Sequence, residues 1–149
     1  MKRRPIIIDC DPGHDDAMAI LWALASEELE IKAITTVAGN QTIEKVTNNA
    51  IRVLTKAKKY DIPVAKGAEA PLVRKLVVGG ELVHGDSGLE GPVLPENGFE
   101  VSELRALELL VKVLEESEEK VTIVGIGPLT NVAQLLITRP DLMEKIEQI

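Results

Sequence analysis

The chain has 149 residues, 45% of them apolar and only 2% aromatic, with a formal charge of −7. That length holds one aliphatic core rather than several domains, and the acidic balance excludes a general nucleic-acid or anionic-membrane binder, both of which need basic surface. No apolar run approaches the roughly 20 residues that span a bilayer, the basic start Met1-Lys2-Arg3-Arg4 is not expected to open a signal peptide, and the single cysteine, Cys10, excludes an intrachain disulfide, so the expectation is a cytoplasmic protein.

In chain order, Pro5–Cys10 reads as a first strand, short and largely β-branched. Pro12-Gly13 turns the chain, and the apolar stretch Ala17–Ala25 follows as a helix whose first turn is acidic. Ile31–Val37 is the second strand. Ile43, Val46, Ala50, Leu54 and Ala57 recur at helical spacing, and Pro63–Lys66 is a third strand. The segment 67–98 breaks this rhythm with Gly67, Gly79, Gly80, Gly85, Gly88, Gly91 and Gly98 and with Pro71, Pro92 and Pro95. Loops of that length in compact domains are functional or disordered. Leu104, Leu107, Val111 and Leu114 mark a second long helix, with Ser102 as its expected N-cap. Val121–Ile126 is a fourth strand, and a helix from Leu129 to Ile137 stops before Pro140. A short helical segment starts at Asp141, and Glu147-Gln148-Ile149 reads as the approach to another strand. Apolar strands alternating with amphipathic helices imply an α/β fold with a parallel sheet covered on both faces.

The chemistry concentrates in Asp9-Cys-Asp-Pro-Gly-His-Asp-Asp16. Two like charges about 5 Å apart cost several kcal/mol at an effective dielectric near 20, so the cluster calls for a cation or for protonation. A hard divalent cation is the simplest answer, and oxygen-only donors favour calcium or magnesium over zinc. Strand alternation puts Asp9 and Asp11 on one face, at the carboxyl edge where open parallel sheets place their ligands. The structural alternative is that Asp15 and Asp16 complement a helix dipole while Asp9 caps a turn. His14 is expected to be an exposed residue of the turn. Asn40 stands at the same sheet edge, either as a helix N-cap or as a donor and acceptor for a polar ligand. In Gly125-Ile-Gly-Pro-Leu-Thr-Asn131 a strand runs through a tight turn into a helix. It lacks the third glycine of a dinucleotide loop and the Lys-Ser/Thr of a P-loop, so the turn is read as directing a backbone carbonyl toward the metal. His84-Gly-Asp-Ser-Gly88 is too compact in sequence for a hydrolytic triad, which leaves His84 as a loop residue reaching the site.

Together and in this order, Asp9–Asp16, Ile34-Thr-Thr-Val-Ala-Gly-Asn40, Pro71-Leu-Val-Arg74, His84–Gly88 and Gly127-Pro-Leu-Thr-Asn131 resemble the inosine–uridine-preferring nucleoside N-ribohydrolases. The resemblance implies a doubly wound, mostly parallel, Rossmann-like sheet with helices on both faces, incomplete in this chain: residues 1–149 are the N-terminal portion of a single domain whose C-terminal half is absent. It implies calcium-dependent hydrolysis of the N-glycosidic bond of ribonucleosides. Asp11 would be both calcium ligand and the base that takes a proton from calcium-bound water. Asp16 and the backbone carbonyl of Ile126 would complete this half of the calcium shell. Asp15 and Asn40 would bind the ribose hydroxyls, His84 would face the nucleobase, and Asp9 would support the cluster. The missing half of the family pattern carries the leaving-group residues, so this chain alone is expected to be inactive, and the full-length form to be a homodimer or homotetramer. Two alternatives stand beside this reading. One is a haloacid-dehalogenase-like phosphatase, which would need Asp9 as nucleophile. The other is a non-catalytic module that binds calcium and ribose.

Overall fold

The run Ile6-Ile7-Ile8 is apolar on both sides of the pleat, so a strand built on it needs cover on both faces. In the computed structural model, which describes residues 2–149, that cover is present. The strands are β1 (Arg4–Cys10), β2 (Leu29–Thr36), β3 (Val64–Lys66), β4 (Val121–Gly125) and β5 (Ile146–Gln148). The helices are α1 (His14–Ala25), α2 (Ile43–Lys56), α3 (Glu81–His84), α4 (Ala106–Glu116) and α5 (Thr130–Thr138), with Pro140–Lys145 as a 3-10 turn. The sheet order is β3-β2-β1-β4-β5 and every neighbouring pair is parallel.

Ile6, Ile8 and Cys10 pack with Ala17 and Ile20 of α1 and with Ala50, Ile51 and Leu54 of α2. Ile7 points the other way, into Leu109, Leu110 and Leu114 of α4 and Val132 and Leu135 of α5. Burying each such isoleucine contributes about 1.5–3 kcal/mol. The chain winds outward from β1 to β2 and β3, then crosses back to β4 and β5. The reversal lies between β1 and β4, and such a switch point opens a crevice beyond the carboxyl ends of the two strands. The doubly wound α/β architecture is therefore as the sequence implies. Among the described residues no helix is long and apolar enough to cross a membrane.

Several boundaries differ from the sequence reading. β2 starts at Leu29, two residues before Ile31, because Leu29 pairs with Arg4, and a register shift between Ile6 and Ile7 absorbs Lys32. Ser102 does not cap α4. Its hydroxyl accepts the Leu104 N–H at 3.1 Å, and α4 begins at Ala106, where the Glu108 carboxylate accepts the Arg105 N–H at 2.7 Å. The long glycine-rich segment contains the single turn α3 and inserts Leu89 into the core at 5% exposure. Ile146–Gln148 is already a strand paired with β4, rather than the approach to one.

Candidate active site

β1 delivers Asp9 to the carboxyl edge between Thr35 of β2 and Gly125 of β4. Asp9 is fully buried. Its Oδ1 accepts the Thr35 hydroxyl at 2.5 Å and the Asn131 amide at 2.7 Å. Asn131, in the first turn of α5, also donates to the Thr36 carbonyl at 2.9 Å and accepts the Ala68 N–H at 2.9 Å. One carboxamide thus ties α5 to β1, to β2 and to the loop after β3. Burial still pushes the Asp9 carboxyl up to about 6, against the pull of those two donors.

Asp11 follows β1 in the turn. Its Oδ2 accepts the backbone N–H of Asn40 at 2.7 Å, and the Asn40 side chain donates to the Asp11 carbonyl at 3.0 Å. Asn40 is therefore no helix cap, since α2 starts behind Thr42. Gly127 lies against the same carboxylate: a Cβ there would come within 2.8 Å of Asp11 Oδ1. The backbone N–H of Ile126 donates to the Asp9 carbonyl at 2.9 Å, which docks the β4–α5 turn onto the aspartates. Asp16, in the first turn of α1, is 3% exposed and accepts the Gly13 N–H at 3.5 Å. Burial lifts both Asp11 and Asp16 to about 6, and the neighbouring carboxylates add to the lift.

Asp15 is the outermost of the four, with its side chain 80% exposed and 3.7 Å from Nε2 of His84. His84 is buried at 8% and arrives on α3 from the glycine-rich segment. His14 is half-buried and partners His84, a correction to the expectation of an exposed turn residue. The two Nδ1 atoms are 3.0 Å apart, and the His14 backbone N–H points at His84 Nδ1 at 3.3 Å. His14 Nε2 lies 2.7 Å from the Glu90 carbonyl, which only accepts, so that nitrogen carries a proton.

These donors suit a hard cation. Asp9 Oδ2 and Asp16 Oδ1 are buried without a hydrogen-bond partner, and a buried carboxylate oxygen left unpaired is costly unless a charge answers it. Among the described residues no three Asp, Glu, His or Cys side chains form a metal cage on their own. Were a hard cation to bind here, these acids would supply part of its shell and carbonyl, water or ligand oxygens the rest.

Residues 6–149 match the family profile described as inosine-uridine preferring nucleoside hydrolase. The chain belongs to that family. It is 57% identical over 146 residues to a pyrimidine-specific ribonucleoside hydrolase of Photobacterium profundum, covering 98% of this chain and 47% of the relative. A pyrimidine-specific ribonucleoside hydrolase of Salmonella typhimurium is 58% identical over 97% of this chain and 46% of its own length. Among solved structures, a plant nucleoside hydrolase superposes with a TM-score of 0.88 at 38% identity, covering 98% of this chain and 46% of that one. A purine-preferring hydrolase from Gardnerella vaginalis gives 0.89 at 26%, covering 96% and 46%. The chain spans about half the length of the curated relatives it matches.

Asp9, Asp11, Asp15, Asp16, Asn40, His84 and the Ile126 turn meet at one sheet edge. The phosphatase alternative fails, because the Asp9 nucleophile it needs is fully buried and held by Thr35 and Asn131. Sequence reasoning gave no role to Thr35 or Asn131. The available signal was position: one is level with Asp9 on the neighbouring strand, and the other follows the glycine turn.

Proposed function

We propose that this chain carries the metal-and-sugar side of a calcium-dependent nucleoside N-ribohydrolase, which cleaves the N-glycosidic bond of ribonucleosides to ribose and free base. The observation that carries the reading is the pair of orphaned carboxylate oxygens, Asp9 Oδ2 and Asp16 Oδ1, beside Asp11 at the switch point. Asp11, Asp16 and the Ile126 carbonyl would hold the ion, with Asp9 supporting them. Calcium, when bound, holds sugar hydroxyls and water together and acidifies the water.

In this reading Asp11 takes the proton of the attacking water. Asp15, exposed at the mouth, and Asn40 hydrogen-bond the ribose hydroxyls. The clustered carboxylates stabilise the positive charge that develops on the sugar. His84 faces the base. Pyrimidine ribonucleosides are the proposed substrates, on the strength of the relatives at 57–58% identity. A cytoplasmic salvage role and a dimeric or tetrameric whole protein belong to the same proposal.

The residues that would protonate the leaving base are assigned to the part of the fold outside this chain, so its own turnover is expected to be negligible. Two measurements test this. Calorimetry should detect calcium binding that Asp11→Asn abolishes. Hydrolysis of uridine, cytidine and inosine by the chain should fall far below that of the Photobacterium profundum relative. Comparable turnover, or no calcium binding, sinks the reading.

A further inference from the structure

Asn49 of α2 has no role in the site as described, yet it is 1% exposed. A buried carboxamide needs partners, and its Nδ2 has two. It donates to the Pro12 carbonyl at 3.2 Å and to the Ser87 carbonyl at 2.9 Å. The first carbonyl belongs to the turn that carries Asp11 and Asp15, and the second to the segment that carries His84. Gly88 makes the approach possible. Its φ is +79°, and a Cβ there would lie 3.2 Å from Asn49 Nδ2 and 3.0 Å from Gln41 Cγ.

The two walls depend on Asn49 unequally. The acidic turn has other anchors: both Asn40 bonds to Asp11, the Gly13 N–H to Asp16, and the Ala17 N–H to the Gly13 carbonyl at 3.0 Å. The His84 segment is held on either side, by the Gly80 N–H on the Asn40 carbonyl at 3.0 Å and by the His14 ring against the Glu90 carbonyl at 2.7 Å. Between them, at residues 86–88, it meets the rest of the chain through Asn49 and the Lys45–Asp86 pair, whose Asp86 side chain is 81% exposed. Exposed pairs of that kind contribute little.

We propose that Asn49 is a positioning residue, a clamp that fixes the His84 segment against the acidic turn and so sets the gap between Asp15 and His84 where sugar and base enter. This rests on the nucleoside hydrolase reading. Losing the clamp loosens the His84 segment around Ser87 and Gly88 and leaves the metal side in place.

The test uses the whole 149-residue chain. In the unaltered protein, NMR should detect couplings across hydrogen bonds from Asn49 Nδ2 to the Pro12 and Ser87 carbonyl carbons. Asn49→Asp keeps the side chain's shape and removes both N–H donors. It should raise amide exchange at Gly88 and Glu90 about tenfold, while Ile7 and Ile8 in β1 change less than about twofold. With calcium present, uridine affinity should fall about tenfold and calcium affinity by less than about twofold. Absent couplings, unchanged exchange in Asn49→Asp, or an equal rise in β1 and the His84 segment would each overturn the proposal. Should Asn49→Asp not fold, the couplings in the unaltered chain decide. Failure of that chain to bind calcium or uridine would count against the hydrolase reading, while the couplings and exchange still judge the clamp.

Discussion

Asp9, Asp11 and Asp16 hold their protons to about 6, above the ordinary 3.8, chiefly because burial disfavours the charged form. A proton affinity higher in the folded than in the unfolded state stabilises the fold at low pH. That contribution is complete below the ordinary value and disappears as pH rises through about 6. The metal-free chain is therefore expected to gain melting temperature as pH falls from about 7 to about 4, as far as these three groups decide it. Calcium should reverse the order by stabilising the chain near neutrality, with an affinity that drops as protons compete below about pH 6. Calorimetric scans with and without calcium across that range check both. Asp9→Asn separates the roles of one residue: its amide oxygen can keep the Thr35 and Asn131 bonds, so stability should change by less than about 1 kcal/mol. Calcium affinity, which needs the charge, should fall about tenfold or more in titration calorimetry. At this scale the acids were legible because four carboxylates in one short run demand an explanation. Asn49 and Asn131 were not, because a single Asn in a helix carries no pattern until its partners are known.

Between elements, the decisive joint is Asn131. Its side chain links α5 to Asp9, to the Thr36 carbonyl and to the Ala68 N–H. Asn131→Ala removes all three bonds and strips a buried carboxylate of a donor, so chemical denaturation should show a loss of about 3 kcal/mol. Asn131→Asp should be no milder, since it sets a second carboxylate against Asp9. The strands and long helices were readable to within two or three residues because their apolar spacing is regular. The cap of α4 was misread at Ser102, because a serine hydroxyl can serve the local turn to Leu104 as readily as a helix end. The turn α3 escaped notice inside a run of glycines, where no periodicity signals it.

For the whole molecule, alternating strands and helices were enough for a parallel sheet, but not for its order. The crossing from β3 back to β4 is what makes β1 central, and no local pattern encodes it. Every strand pairing is parallel, so none forms through a short hairpin. Refolding followed by far-ultraviolet circular dichroism should accordingly take milliseconds to seconds rather than microseconds. Trp22, the sole tryptophan, is 79% exposed and would report poorly on that collapse.

The bond from Asn131 to Asp9 joins positions 122 apart. On the ribosome, the aspartate emerges long before its amide partner. At about 5–20 residues per second, the cluster waits on the order of ten seconds without α5. During that interval Thr35, 26 positions away, is the only one of Asp9's two side-chain donors already synthesised. The hydrogen bonds that hold Asp9 are thus completed late, although the acids are among the first residues made.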